Sequence, residues 1–223
     1  MSLQDVFDLS SDDFMIDRRE IEKLWVETLL RRISKNPNRD KFWVFLQAAL
    51  YLYSKSPTKR LHVSEIIEKS GYSRSSFFRI NSFSEFQLRA YRRLGILVVQ
   101  EFEDFVSNRL LSPVEFADAA LSIIYSSHIA IRNEIFNKLV QAHEGLTPVE
   151  FNPSVDFFAE IVQKYCNENS YLGYRRITAK EASKCVRLLD YDIFTERTLR
   201  GNVFPSKEQA VRLHAMFLGF IRR

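Results

Sequence analysis

Glycine and cysteine are both scarce, and the patterns they fail to form remove whole classes of chemistry. Six glycines in 223 residues leave little material for phosphate-cradling loops, and no G-x-x-x-x-G-K-[ST], G-x-G-x-x-G, G-x-S-x-G or H-E-x-x-H motif occurs. The two cysteines, Cys166 and Cys185, are not a C-x-x-C pair and read as reduced thiols of a core or pocket. The four histidines (His62, His128, His143 and His214) fall on different predicted elements. A catalytic site needs a nucleophile, a base and a stabiliser that converge, and none does, so neither an enzyme nor a metal or cofactor site is expected. The longest apolar runs are too short to span a bilayer, and no basic segment followed by an apolar one marks an export signal. The expectation is a soluble, cytoplasmic protein without a membrane partner. Runs of alternating β-branched residues, the mark of strands, are missing too.

What is present is helical periodicity and an abundance of rings. Hydrophobic residues make up 46% of the chain, with 19 phenylalanines and nine tyrosines. The prediction is an all-α fold of about nine or ten helices in three segments. Residues 1–38 form an extension with an acidic start. Its one amphipathic helix, 17–33, carries Ile21, Trp25, Leu29 and Ile33 at four-residue spacing. That helix either extends a basic surface through Arg31, Arg32 and Lys35 or packs on the neighbouring domain. Residues 39–94 form a small helical domain. Residues 95–223 form a larger one, joined to it by a long helix over 84–108. Helix starts in the larger part are marked by Ser112-Pro113-x-Glu115, Asn152-Pro153, Thr178-x-x-Glu181 and Ser206-x-x-Gln209. A further helix is expected over 127–143, ended by Gly145.

The stretch 62–94 is the most informative. It reads as a short helix, a turn at Gly71, a second short helix capped by Ser73, a turn, and the start of a long helix. That layout is a helix-turn-helix, whose second helix lies in the DNA major groove. With Ala48, Ala49, Leu52 and Tyr53 on the preceding helix, Ile66, Gly71, Tyr72 and Ser73 on the turn, and Phe77, Phe78, Glu85 and Leu88 beyond it, residues 40–94 resemble the DNA-binding domain of the tetracycline-repressor (TetR) family. The resemblance implies that Arg74, Ser75 and Ser76 face base edges. It also implies that Lys59, Arg60, His62, Ser64, Phe78, Arg79 and Ser84 lie at the DNA, mostly against phosphates.

Departures from the family pattern are specific. Phe78 replaces a tyrosine whose hydroxyl would bond a phosphate, Asn81 replaces a phenylalanine, Ser84 a phosphate-binding lysine, and Ile67 a small alanine. Phe83 is a candidate for the missing ring's packing role. Charge compensates: residues 39–94 hold eleven bases against four acids, +7, whereas the whole chain is +4. A basic block on an otherwise slightly acidic protein is the electrostatic footprint of a nucleic-acid binder. Acids elsewhere, such as Glu101, Glu103 and Asp104, read as solvated faces.

In the larger segment, Phe105, Phe116, Tyr125, His128, Phe136, Phe157, Phe158, Tyr165 and Tyr191 are candidate walls of a pocket for an apolar or aromatic effector. The last two helices, 179–200 and 207–222, carry Val186, Leu189, Ile193, Val211, Met216, Phe217 and Phe220 on a broad apolar stripe. In the family, the corresponding pair meets a symmetry mate as a four-helix bundle. The resemblance therefore implies a bacterial, nucleoid-associated homodimer that reads a double-stranded operator, represses by default and responds to a small molecule. The rival expectation is a protein of the same fold that has lost specific DNA binding and serves as a protein-interaction module. Phe78, Asn81 and Ser84 motivate it.

Overall fold

Asp40 sets the first well-marked helix start: its side chain accepts a 3.3 Å hydrogen bond from the Trp43 backbone N–H, one of the donors a helix N-terminus leaves unpaired. The structure is a computed structural model that describes residues 18–35, 40–56, 61–80, 82–130, 153–200 and 207–223. Among them are nine α-helices: α1 (Arg18–Lys35), α2 (Lys41–Lys55), α3 (Val63–Ser70), α4 (Arg74–Ile80), α5 (Phe83–Ser107), α6 (Pro113–Ala130), α7 (Pro153–Glu168), α8 (Ala179–Arg200) and α9 (Lys207–Ile221). The one extended pairing among these residues is an isolated antiparallel bridge between Tyr174 and Arg222. The chain is all-α, as its periodicity predicts, and no helix among these residues is long and apolar enough to cross a membrane.

The caps repeat one device. Ser112 with Glu115 and Thr178 with Glu181 form the reciprocal backbone–side-chain bonds that their spacing predicts. A third such box, Ser82 with Glu85, starts α5 one residue before the predicted position. The expected boundary near residue 127 is not there: α6 runs through to Ala130, with the Ser126 hydroxyl turned back on the Ile123 carbonyl. Serine tolerates a helix interior when its hydroxyl bonds a carbonyl of the previous turn. The rest of the helix expected over 127–143, and the starts expected at Asn152 and Ser206, lie outside the described residues.

Two groups of helices share one continuous core. The first, called the head below, is α2, α3, α4 and the beginning of α5. Its rings pack closely: Phe45–Phe77 edge to face at 5.0 Å, and Phe77–Phe86 and Phe42–Phe86 tilted at 5.3 and 5.6 Å between centroids. The second, the body, is the rest of α5 with α6 to α9. There Phe102 touches Phe116 and Phe158, while Phe116 stacks on Tyr165 at 4.5 Å and lies 6.3 Å from Phe217. Both cysteines are buried in the body, and burial pushes each thiol up to about 12, helped at Cys166 by the nearby Cys185.

Helix α1 settles the alternative its sequence leaves open. Its apolar face, Ile21, Trp25, Val26, Leu29 and Ile33, is buried against α2, α5 and α6, so it packs on head and body together. Arg32, a candidate for the basic surface, instead bonds Glu101 and Asp104 of α5. Burial opposes the guanidinium's charge, but the bonds and charges of the two carboxylates outweigh it and raise its pKa. This corrects the reading of Glu101 as part of a solvated face, since its side chain is mostly buried, while Asp104 stays exposed as that reading has it.

The corner between α5 and α6 is held by tyrosine hydroxyls. Tyr165 Oη donates to the Arg109 carbonyl at 2.9 Å and accepts from the Leu111 N–H at 2.7 Å, and Tyr174 Oη donates to the Leu111 carbonyl at 2.9 Å. The far end of the chain is tied to the same region, since the Arg175 N–H donates to the Ile221 carbonyl and the Arg223 N–H to Gly173. Replacing Tyr165 by Phe strips two backbone groups of their partner at a buried site. We expect the Tyr165→Phe protein to lose about 1–3 kcal/mol, read as a lowered urea midpoint at unchanged slope. An unaltered midpoint would show that the corner does not depend on this hydroxyl.

Candidate nucleic-acid interface

Helix α4 is seven residues long, far below the length at which a helix stands alone in water, and its position rests on one ring. Phe77 is fully buried between Phe45 and Phe86. Upstream, Gly71 closes α3 at φ +73°, the left-handed conformation that side-chain-bearing residues avoid, and its N–H bonds the Glu68 carbonyl. Ser73 then caps α4, its hydroxyl accepting from the Ser76 N–H at 3.2 Å. Turn, cap and anchor together present Arg74, Ser75, Phe78 and Arg79 to solvent, with Ser76 half-buried.

The residues predicted to touch DNA divide as follows. Arg74 and Arg79 are exposed and make no ion pair among the described residues, and the Arg74 guanidinium sits 5.5 Å from the centre of the Phe78 ring. Phe78 is 48% exposed, an apolar surface on the outward face of α4. The hydroxyls of Ser75 and Ser76 lie 2.9 and 3.1 Å from that of Ser73, so part of their bonding capacity is used locally. Ser64 and Ser84 are exposed, Ser84 sharing a bond with Ser82. His62 is exposed at the residue before α3, its N–H donating to Glu65 at 3.3 Å. Lys59, Arg60 and Asn81 lie outside the described residues. Phe83 stacks on Phe86 at the edge of the head core, consistent with the packing role expected of it.

Several of the counted bases are engaged within the head. Arg89 bonds Asp40 at 3.1 Å and lies 4.2 Å from the Phe42 ring, and Arg93 lies over Trp43. Lys69 and Lys55 both approach Tyr51, at 3.9 and 5.6 Å, and Lys41 approaches Tyr72. Those ammonium groups remain exposed, as do the two tyrosines. Sequence reasoning missed Tyr51 and Tyr72 as surface rings, because an aromatic at helical spacing is by default a core residue.

The candidate pocket residues of the body divide in a similar way. Phe105, Phe116, Tyr125 and Phe158 are buried, and Phe116 and Phe158 pack ring to ring with Phe102 and Tyr165. Phe157 is half-buried against the same core, and Tyr191 is 56% exposed on the outer side of α8. The side chain of His128, and Phe136 altogether, lie outside the described residues. A cleft of about 260 Å³ opens between the end of α5 and α7, and its lining mixes Glu103, Arg109, Lys164 and Glu168 with Val106, Leu110 and Ile161.

Of the expected dimer face, Val186, Leu189 and Phe217 are a correction: all three are buried in the chain's own core and have no surface left for a partner. Val211 (49%) and Met216 (38%) are exposed, Phe220 is half-buried beneath Arg175, and the Ile193 side chain lies outside the described residues. Leu188, a residue the stripe omitted, is exposed together with Tyr191. Beside them Asp192 joins α8 to α9 through Arg212 and Gln209.

Compared with protein-family models, curated proteins and solved structures, the chain gave no match.

The head also carries an acid-sensitive start to α5. The Glu85 carboxylate accepts from the Ser82 N–H and is further held by the Ser82 side chain, which keeps it below the usual carboxylate range. A carboxylate depressed in the folded state contributes stability above its ordinary value of about 4.3 and loses it as pH falls through the lower folded value. Glu85→Gln keeps the bonding shape without the charge. The melting temperature of the variant is expected below wild type at neutral pH, with the gap closing as pH falls from about 5 to 3. A gap that persists unchanged in acid would remove the charge from the account.

Proposed function

We propose that the chain is a sequence-specific DNA-binding transcriptional regulator of the TetR type, a homodimer whose operator affinity responds to a small effector. The observation that carries this reading is the outward face of α4. Arg74, Ser75, Phe78 and Arg79 project from a short helix fixed by Phe77, with exposed lysines of α2 and α3 on the same head and no carboxylate paired to either arginine among the described residues. Arginine reads guanine O6 and N7 bidentately, serine accepts or donates, and an apolar ring suits a thymine methyl. Arg79 and the lysines supply phosphate contacts, which add affinity and position but little sequence information. Two copies paired through α8 and α9 would set two α4 helices about 34–36 Å apart, one turn of the duplex.

The second reading, a head that docks a protein rather than DNA, is favoured by the exposed rings of Tyr51, Tyr72 and Phe78 and by the serine hydroxyls already bonded to Ser73. Binding to host genomic fragments at two salt concentrations separates the two. The regulator reading expects enrichment of discrete fragments, an Arg74→Ala loss of about 1–3 kcal/mol at the preferred site, and an Arg79→Ala salt slope shallower by about 0.9. Weak binding blind to sequence and indifferent to Arg74→Ala would replace it with the docking reading.

The outward faces of α8 and α9 give the dimer its own test. Val211→Glu places a charge on an exposed apolar face and is expected to shift sedimentation from dimer to monomer with little change in melting temperature. Wild-type protein that is monomeric at micromolar concentration would end the paired-half-site argument.

A further inference from the structure

The one sequence feature the proposed function leaves unused is α1, and its contacts give it a task. Its apolar face is buried against α2 in the head, α6 in the body, and α5, the helix that runs through both. Apolar burial of this kind is strong but non-directional, so alone it would let α1 slide or roll over its neighbours. Arg32 supplies direction. Its guanidinium bridges Glu101 and Asp104, carboxylates one turn apart on α5, and a charge-assisted fork of this kind fixes orientation as well as distance. The bridge also answers a local problem. Glu101, Glu103 and Asp104 crowd the last two turns of α5, where the helix dipole disfavours negative charge and the final turn holds no base of its own.

We propose that α1 is a brace that sets the tilt of the head on the body, with Arg32 as its positioning residue, so that the spacing of two α4 helices in a dimer is fixed by this contact. The spacing clause rests on the regulator reading; the brace itself does not. In this arrangement the head cannot pivot about α5 without tearing Arg32 from its carboxylates, moving α1 across α6 or sliding α2 over the buried face of α1. Apolar packing keeps α1 attached, and the ion pair keeps it in register.

The test uses the full chain with cysteines introduced at Glu68, exposed on α3, and Glu160, exposed on α7. The two native thiols are buried and protonated, so spin labels attach to the introduced pair. Doubly labelled protein is diluted into unlabelled protein, and the label-to-label distance is measured without DNA. Wild type is expected to give one narrow distribution. Arg32→Ala should give a broader or displaced one, Arg32→Lys an intermediate one, and the exchanged pair Arg32→Glu with Glu101→Arg a return toward wild type. If Arg32→Ala fails to fold, Arg32→Lys carries the comparison. Distributions that coincide across the series would overturn the brace. On fragments selected by wild type, Arg32→Ala should weaken binding to a complete two-half-site operator on the order of tenfold and leave a single half-site unaffected, a split that general destabilisation would not produce. Absence of any selected fragment would count against the regulator reading and leave the distance result to judge the brace.

Discussion

Burial of the Phe77 ring is the interaction on which the candidate interface depends. A helix of two turns has too few internal hydrogen bonds to offset the entropy of forming it, so α4 keeps its shape because the surrounding fold imposes it. One ring wedged between Phe45 and Phe86 supplies the attachment, and the Ser73 cap and left-handed Gly71 fix the direction from which the chain enters. The same economy leaves the outer face open. Only Phe77 turns fully inward, so Arg74, Ser75, Phe78 and Arg79 are free to meet a partner. Large-to-small changes at a fully buried phenylalanine cost about 3–5 kcal/mol, and here that cost would fall on the surface geometry as much as on stability.

Formal charge overstates what the head offers to solvent. Arg89 is spent on Asp40 and the Phe42 ring, and it ties α5 to the start of α2. Arg32, outside the basic block, is spent on the acids of α5. Among the described residues of the block, Lys41, Lys55, Lys69, Arg74, Arg79, Arg92 and Arg93 are exposed, several of them beside the exposed rings of Tyr51, Tyr72 and Phe78. A cation over an aromatic face keeps its full charge and loses some side-chain freedom, so Lys41, Lys55, Lys69 and Arg74 are partly pre-ordered for contact. That arrangement suits a polyanion better than a uniformly solvated lysine coat would.

Local chemistry was legible in the sequence wherever a single short-range rule decides it. Gly71, Ser73 and the boxes at Ser112 and Thr178 are where their spacing puts them, because capping needs only the partner three residues away. The all-α architecture follows from periodicity for the same reason. What failed needed the third dimension. On α8 the stripe correctly includes Val186 and Leu189 as apolar, yet they face inward while Leu188 faces out; adjacent residues on a helix point about 100° apart, and a broad stripe does not say which edge meets the core. Arg32 and Glu101 are 69 residues apart, and nothing local distinguishes them from ordinary surface charges. Tyr191 and Phe116 look alike in sequence, though one is exposed and the other lies in the stack.

That stack constrains where an effector can act. Phe102, Phe116, Phe158, Tyr165 and Phe217 touch one another at centroid separations of 4.5–6.3 Å, and the hydroxyls of Tyr165 and Tyr174 are committed to the corner after α5. A ligand inserted among these rings would have to displace contacts already made at interior density, and it would strand backbone groups that the tyrosines satisfy. Its binding free energy would then be consumed in undoing the core, and a ligand shifts an equilibrium only by its difference in affinity for the two states. A ligand of the body would meet less resistance outside these stacked rings. The cleft at the end of α5 combines charged walls, Glu103 and Arg109 among them, with Val106, Leu110 and Ile161, and Glu103 stands about 200° round the helix from the Glu101 that Arg32 holds. Such a lining matches a molecule that carries charged and apolar groups together.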